Sequence, residues 1–182
     1  MARTRKTPAT PATGTPSTGT PAAVTPDAGL PAAGDTAQSP TKGGARQPEE
    51  LVRVLAQAVR SYFGVPASVT IAMYALESGW GEHLAAENNP FGIKAVGTEP
   101  AADNGYARFR ILPHAFQRFG QILATRDPYR EHTEQLKRSK APLEKRIETY
   151  VRAIAPRWAE DPKYAEKVLA IIRASHLHRY DR

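Results

Sequence analysis

The chain has 182 residues, and its 25 Lys and Arg residues outnumber its 18 Asp and Glu residues, which gives a net charge of +7. It contains no cysteine, which excludes disulfide bonds and catalysis by a thiolate. No stretch approaches the roughly 18 consecutive apolar residues of a membrane-spanning helix, so we predict no membrane span. The positive charge is spread along the chain; it would suit a polyanionic partner, but it is too diffuse to predict nucleic-acid binding.

The first 47 residues differ in composition from the rest of the chain. They contain seven Pro, ten Thr, ten Ala and six Gly, whereas every Trp, Tyr and Phe lies from Pro48 onward. Such a segment cannot bury enough apolar surface to offset the entropy lost on ordering. We therefore predict a disordered tail over residues 1–47 and one folded domain over residues 48–182. The basic start of the chain is not followed by an apolar run, so no Sec-type signal peptide is predicted.

The folded domain reads as mainly α-helical with one small β excursion. Apolar residues recur at helical spacing in most segments, and Pro and Gly mark the ends of these segments. The predicted elements, in chain order, are a helix from Pro48 to Gly64, a helix from Pro66 to Gly79, a small hairpin within 88–110, a helix after Pro113, and helices near 142–155 and 162–177.

The second predicted helix carries a carboxylate at the border of the core. Its inward stripe is apolar, and Glu77 lies about 70° to the side of that stripe, next to Trp80. Partial burial against aromatic rings raises the pKa of a carboxyl group, which suits a general acid near neutral pH. The same position also suits an ordinary surface glutamate beside the core, and the pattern alone leaves both interpretations open.

Three separated motifs carry a resemblance to a known family. They are ALESGWG at 75–81, NNPFGIK at 88–94 and WAEDPKYAEKV at 158–168. Together and in this order they resemble the glucosaminidase family of peptidoglycan hydrolases, glycoside hydrolase family 73. The resemblance covers about residues 60–178. It implies a lysozyme-like fold, in which helices and a small β-lobe line a cleft, and hydrolysis of β-1,4 bonds after N-acetylglucosamine in peptidoglycan glycan strands.

The resemblance also implies catalytic roles for individual residues. Glu77 matches the family's general acid, and Tyr164 matches a tyrosine near the catalytic site, although its spacing also suits the edge of the core. The family's second carboxylate comes from the β-lobe, where Glu99 is the nearest counterpart. This segment is short, and Asp103 competes for the same role. A third alternative is attack by the 2-acetamido group of the substrate itself.

Four further residues are predicted to bind substrate. The amide of Asn89 could hydrogen-bond sugar hydroxyl or acetamido groups, and Trp80 and Trp158 could stack on sugar faces. Phe91 lies in the same motif as Asn89. The two tryptophans and Phe91 suit core packing equally well, so the pattern leaves this alternative open.

Cofactors and partners are predicted as follows. No His pair has metal-ligand spacing, so we expect no metal and no cofactor. We expect a monomeric enzyme whose partner is the peptidoglycan glycan strand. It would act in the cell wall or periplasm, after delivery by a phage or by a specialised secretion or flagellar route. A muramidase or lytic transglycosylase of the same fold, or a non-catalytic wall-binding module, is the alternative function.

Overall fold

The computed structural model describes residues 46–182, and the described part of the chain is mainly helical, as predicted. The tail predicted over residues 1–47 therefore lies outside the described residues, except for its last two. Six α-helices and a final 3₁₀ helix follow. They are α1 (Glu50–Phe63), α2 (Ala67–Ser78), α3 (Leu112–Thr125), α4 (Tyr129–Arg138), α5 (Leu143–Trp158), α6 (Tyr164–Ala174) and the 3₁₀ helix (Leu177–Asp181).

Helix α2 is the centre of the domain, and it packs against α1, α6 and the 3₁₀ helix. Ten of its twelve residues are buried, so its apolar side chains point in all directions rather than to one face. It ends at Gly79, which has a φ of +57° and closes the helix by donating its N–H to the carbonyl of Ala75. A left-handed residue at this position favours glycine. The last turn of α2 is thus held firmly at the edge of the core.

The segment between α2 and α3, residues 79–111, forms the β-lobe. Its antiparallel pairing consists of three isolated bridges, so the predicted hairpin forms only in part. The bridges join Ala86 with Asn89, Lys94 with Tyr106, and Ala101 with Ala107. Turns and loops make up the rest of the lobe. Its backbone is fixed by a buried side chain as well, because the amide of Asn89 bonds Ile93 and Ala107.

Helix α4 was not predicted from the sequence. Its sequence, YREHTEQLKR, is strongly polar, and only Tyr129, Thr133 and Leu136 are buried. These three residues follow helical spacing, but one of them is a threonine, which weakens the apolar pattern. The hydroxyl of Thr133 donates to the carbonyl of Leu123 and also contacts the hydroxyl of Tyr150, which ties α4 to its neighbours.

The two described residues of the predicted tail contact the domain. Arg46 forms an ion pair with Glu82 at 2.7 Å, and the side chain of Gln47 hydrogen-bonds Arg179. Contacts with the folded domain are therefore already present two residues before the predicted boundary at Pro48.

Candidate active site

Glu77 lies in the last turn of α2, and its carboxylate is half-buried. Two side chains from distant parts of the chain donate hydrogen bonds to the same oxygen, Oε1. The indole N–H of Trp158 donates at 3.0 Å, and the hydroxyl of Tyr164 donates as well. The structure therefore brings together Glu77 and Tyr164, two of the three residues predicted to be catalytic, and places Trp158 beside them.

The surroundings of Glu77 change its acidity. Burial raises the pKa of the Glu77 carboxyl group, and the hydrogen bonds from Tyr164 and Trp158 oppose that rise without cancelling it. Burial beside the Glu77 carboxylate also raises the pKa of Tyr164 well above its usual value, so this hydroxyl stays protonated as a donor. A carboxyl group with a raised pKa retains its proton closer to neutral pH, as a general acid must.

The donors on Glu77 are held by helix ends and by aromatic packing. Trp158 is the last residue of α5 and Tyr164 is the first residue of α6. The Trp158 ring meets the rings of Phe119 and Tyr129 edge-on, with centroids 5.3 Å and 6.1 Å away. Both donors are buried, with exposed fractions of 3%. They therefore fix the carboxylate from the core side.

Glu99 lies in the β-lobe and has a different set of partners. Its Oε2 accepts the backbone N–H of Val96 at 2.9 Å, and its Oε1 forms an ion pair with Arg118 of α3 at 2.6 Å. These contacts orient the carboxylate relative to its own loop and to α3. The competing residue, Asp103, is exposed.

The comparisons with known proteins agree with this architecture. A family model described as "Glucosaminidase: Mannosyl-glycoprotein endo-beta-N-acetylglucosaminidase" matches residues 54–177. The chain belongs to the glucosaminidase family. The resemblance read from the three sequence motifs is confirmed, and the protein is a glycoside hydrolase.

Solved structures show the same fold at low sequence identity. A mutant of a peptidoglycan hydrolase from Sphingomonas sp. A1 has 20% identity and a TM-score of 0.54, over 71% of this chain and 93% of that chain. An N-acetylmuramoyl-L-alanine amidase from Staphylococcus aureus has 22% identity and a TM-score of 0.55, over 74% of this chain and 44% of that chain. No curated protein matches the chain by sequence. The glucosaminidase domain thus has the lysozyme-like fold that was predicted.

Three of the predicted substrate-binding residues are buried in this glucosaminidase domain. The Asn89 amide is occupied, since its Nδ2 donates to two carbonyls and its Oδ1 accepts the Ile93 N–H at 3.0 Å. Phe91 is fully buried and stacks on Phe119 at 4.2 Å. This burial favours the packing alternative for Phe91 and Trp158, and backbone groups occupy the amide of Asn89. Asn89 fixes the β-lobe, Phe91 belongs to the core, and Trp158 faces Glu77.

Trp80 remains the candidate for sugar stacking. It is half-buried, follows Glu77 by three residues and has a φ of +65°. The guanidinium of Arg46 lies over its ring at 5.6 Å from the centroid. Ser78 stabilises this sharp turn, because its hydroxyl donates to the carbonyl of Tyr74 at 2.6 Å and accepts the N–H of Gly81 at 2.9 Å.

Two contacts at the candidate site were not predicted from the sequence. Arg118 is an arginine on a helix face, and no local pattern distinguishes it from a solvated surface residue. The bond from Trp158 to Glu77 joins residues 81 positions apart, so spacing could not reveal it.

Clusters of metal-ligating side chains and membrane-spanning helices are both absent from the described part of the chain. Within residues 46–182, no group of three or more His, Asp or Glu side chains is placed to hold a metal ion. Among the same residues, no helix is long and apolar enough to cross a membrane.

Proposed function

We propose that this glucosaminidase hydrolyses the β-1,4 bond after N-acetylglucosamine in the glycan strands of peptidoglycan, and that Glu77 is its general acid. The observation that carries this proposal is the half-buried Glu77 carboxyl group, which has a raised pKa and receives hydrogen bonds from Tyr164 and Trp158. Family membership supports the reaction, and the peptidoglycan hydrolase from Sphingomonas sp. A1 supports the substrate. The site of action is then the cell wall.

The acid step follows from this arrangement. Glu77 gives its proton to the glycosidic oxygen as the bond from that oxygen to the anomeric carbon breaks, and the electron pair of the bond stays with the oxygen. Negative charge then develops on the Glu77 carboxylate. Trp158 and Tyr164 already point their donors at Oε1, so they stabilise this charge without moving. A positioned general acid of this kind typically accelerates a reaction about 10²–10⁴-fold.

Glu99 is the proposed base. It takes a proton from the water whose oxygen attacks the anomeric carbon, which completes the hydrolysis. The ion pair with Arg118 and the hydrogen bond from the backbone N–H of Val96 fix the direction of this carboxylate. An inverting reaction needs about 6.5–9.5 Å between the two carboxyl groups in the substrate complex, to leave room for the water. Trp80 is proposed to stack on one sugar ring.

Mass spectrometry of the reducing ends released from purified peptidoglycan tests the proposal. We expect N-acetylglucosamine at the new reducing ends, and Glu77→Gln should lower the rate of their release about 10²–10⁴-fold. Ends that carry N-acetylmuramic acid or its anhydro form would instead identify a muramidase or a lytic transglycosylase. Sedimentation with the wall without any release would identify a binding module. A Glu77→Gln variant that keeps more than about a tenth of the wild-type rate would exclude the acid role.

A further inference from the structure

The two donors on Glu77 converge on one oxygen, and one of them is an indole. An indole N–H can donate a hydrogen bond but cannot accept one. Trp158 is buried, and aromatic rings from α3 and α4 hold its orientation. Its partner Oε1 must therefore act as an acceptor in both protonation states of Glu77. The hydroxyl of Tyr164 adds a second donor to the same atom.

The different acceptor strengths of the two carboxyl oxygens then determine which oxygen of neutral Glu77 carries the proton. A carbonyl oxygen has two lone pairs and can accept both donors, whereas the O–H oxygen of a carboxylic acid is the poorer acceptor. With Trp158 and Tyr164 both on Oε1, the favoured neutral form has its C=O at Oε1 and its O–H at Oε2. Without this constraint, the proton could occupy either oxygen.

We propose that Trp158 is a positioning residue that holds Oε1 of Glu77 as an acceptor, so that the proton delivered to substrate is carried on Oε2. This inference rests on the proposed role of Glu77 as the general acid. Trp158 acts through Glu77 and has no contact with substrate of its own. Trp158 also keeps the Glu77 side chain in place after its proton has left and the carboxylate is charged.

The hydrogen bond can be observed without any substrate. The chain has only two tryptophans, so a ¹H–¹⁵N spectrum of the full-length protein contains two indole N–H signals, and Trp158→Phe assigns them. Glu77 from α2 accepts the Trp158 indole N–H, the ring of Tyr129 from α4 packs against the Trp158 ring, and the hydroxyl of Tyr164 from α6 shares the acceptor oxygen of Glu77. Burial raises the pKa of Tyr129 to about 12 and raises the pKa of Tyr164 well above its ordinary value, so neither tyrosine titrates below pH 9.

We expect the Trp158 indole signal to shift with pH as Glu77 ionises, and the shift to disappear in Glu77→Gln. Asp161 lies three residues from Trp158, but Lys167 lowers its pKa, and the Gln variant would retain any shift that Asp161 causes. A Trp158 signal that follows the same pH curve in wild type and Glu77→Gln would overturn the inference. Because this measurement needs no glycan, it is independent of whether the proposed peptidoglycan cleavage is observed.

Kinetics provide the second readout. Trp158→Phe keeps an aromatic ring against Phe119 but removes the N–H, and we expect kcat to fall about 10-fold or more. Loss of a donor to the charged form also raises the pKa of Glu77, so the alkaline limb of the kcat/KM profile should move to higher pH. If Trp158→Phe folds poorly, 3-benzothienylalanine at position 158 replaces the N–H by sulfur with almost the same shape.

Tyr129→Phe is the matched control. It removes a hydroxyl from a ring that touches Trp158, but this hydroxyl donates to the carbonyl of Arg157 and not to Glu77. We expect this variant to leave the alkaline limb in place even if its Tm falls. An alkaline limb that does not move in a folded Trp158→Phe or benzothienyl variant would show that Trp158 only packs.

Discussion

At the scale of single residues, Glu77 works against the stability of the fold that holds it. Burial raises the pKa of its carboxyl group in the folded protein above the value in the unfolded chain. The folded state therefore binds more protons than the unfolded state between these two pKa values. The free energy of unfolding then decreases as pH rises from the unfolded pKa through the folded pKa. Above that window the folded protein holds a partly desolvated charge.

Glu77→Gln should therefore stabilise the protein at high pH. The neutral amide oxygen can still accept bonds from Trp158 and Tyr164, but it carries no charge. We expect the Tm of the variant to exceed that of wild type by about 3–5 °C at pH 8 and to match it near pH 4. Thermal unfolding by circular dichroism at both pH values measures this difference.

Glu82→Gln is the control for the stability experiment. Arg46 lowers the pKa of the exposed Glu82 in the folded protein. Their ion pair therefore stabilises the fold above the pKa that Glu82 has in the unfolded chain, and this stabilisation is lost as pH falls through the pKa of Glu82 in the folded protein. The control variant should thus gain no stability at pH 8. A Tm difference between wild type and Glu77→Gln that is the same at pH 4 and pH 8 would contradict the account of Glu77.

A comparison of Glu99→Gln with Asp103→Asn identifies which residue supplies the second catalytic carboxylate. Only Glu99 is oriented by a helix, through Arg118, whereas Asp103 is exposed on the loop. We expect at least about a 10²-fold loss of glycan cleavage for Glu99→Gln and little loss for Asp103→Asn. The rates are measured on one soluble glycan with Tm as the folding control.

The other outcomes of this comparison are informative too. If both variants remain active, the 2-acetamido group of the substrate is the better candidate nucleophile, and a glycan that lacks the acetamido carbonyl should not react. If only Asp103→Asn is inactive, the base lies four residues further along the loop than proposed.

At the scale of elements, the crossing of α1 and α3 depends on a residue without a side chain. Gly120 lies in the middle of α3, where a Cβ atom would lie 2.4 Å from Cδ2 of Phe63 at the end of α1. Alanine normally stabilises a helix relative to glycine by about 1 kcal/mol. Here the clash opposes that gain, because the ring of Phe63 packs against the core.

We expect Gly120→Ala to destabilise the domain by about 1–3 kcal/mol, as overpacked cores do. Urea unfolding measures the free energy. Phe63→Leu is the matched background, since a smaller side chain leaves room for the added methyl group. Gly120→Ala should then cost less in Phe63→Leu than in wild type. An equal cost in both backgrounds would show that contact with Phe63 is not the cause.

Several elements could be predicted from the sequence because their signals are local. Gly64 and Gly79 both have left-handed backbone and end α1 and α2 where the sequence indicated. The three motifs identified Glu77 and Tyr164. What could not be predicted depends on contacts between distant residues. The ion pair of Arg118 with Glu99 and the burial of Trp158 exist only after α3, α5 and the β-lobe have packed.

At the scale of the whole molecule, the two described ends of the chain contact each other, and the C-terminal end also contacts the start of α2. The carboxylate of Asp181 accepts the backbone N–H of Ser68 in the first turn of α2 at 3.1 Å. Gln47 donates to the carbonyl of Ser175 at 3.4 Å and hydrogen-bonds Arg179. Burial raises the pKa of Asp181, and the hydrogen bond from Ser68 opposes this rise. The last residues of the chain thus supply a cap for the central helix.

Two truncations test where the folded domain begins. Residues 1–45 contain no aromatic residue and few large apolar ones. Their removal should therefore change the Tm by no more than about 2 °C and leave the rate of glycan cleavage unchanged. Removal of residues 1–47 also deletes the exposed ion pair of Arg46 with Glu82 and the bonds of Gln47. Exposed pairs contribute little to stability, so this second variant should lose only a few degrees more. A drop of many degrees on removing residues 1–45 alone would show that this segment packs on the domain.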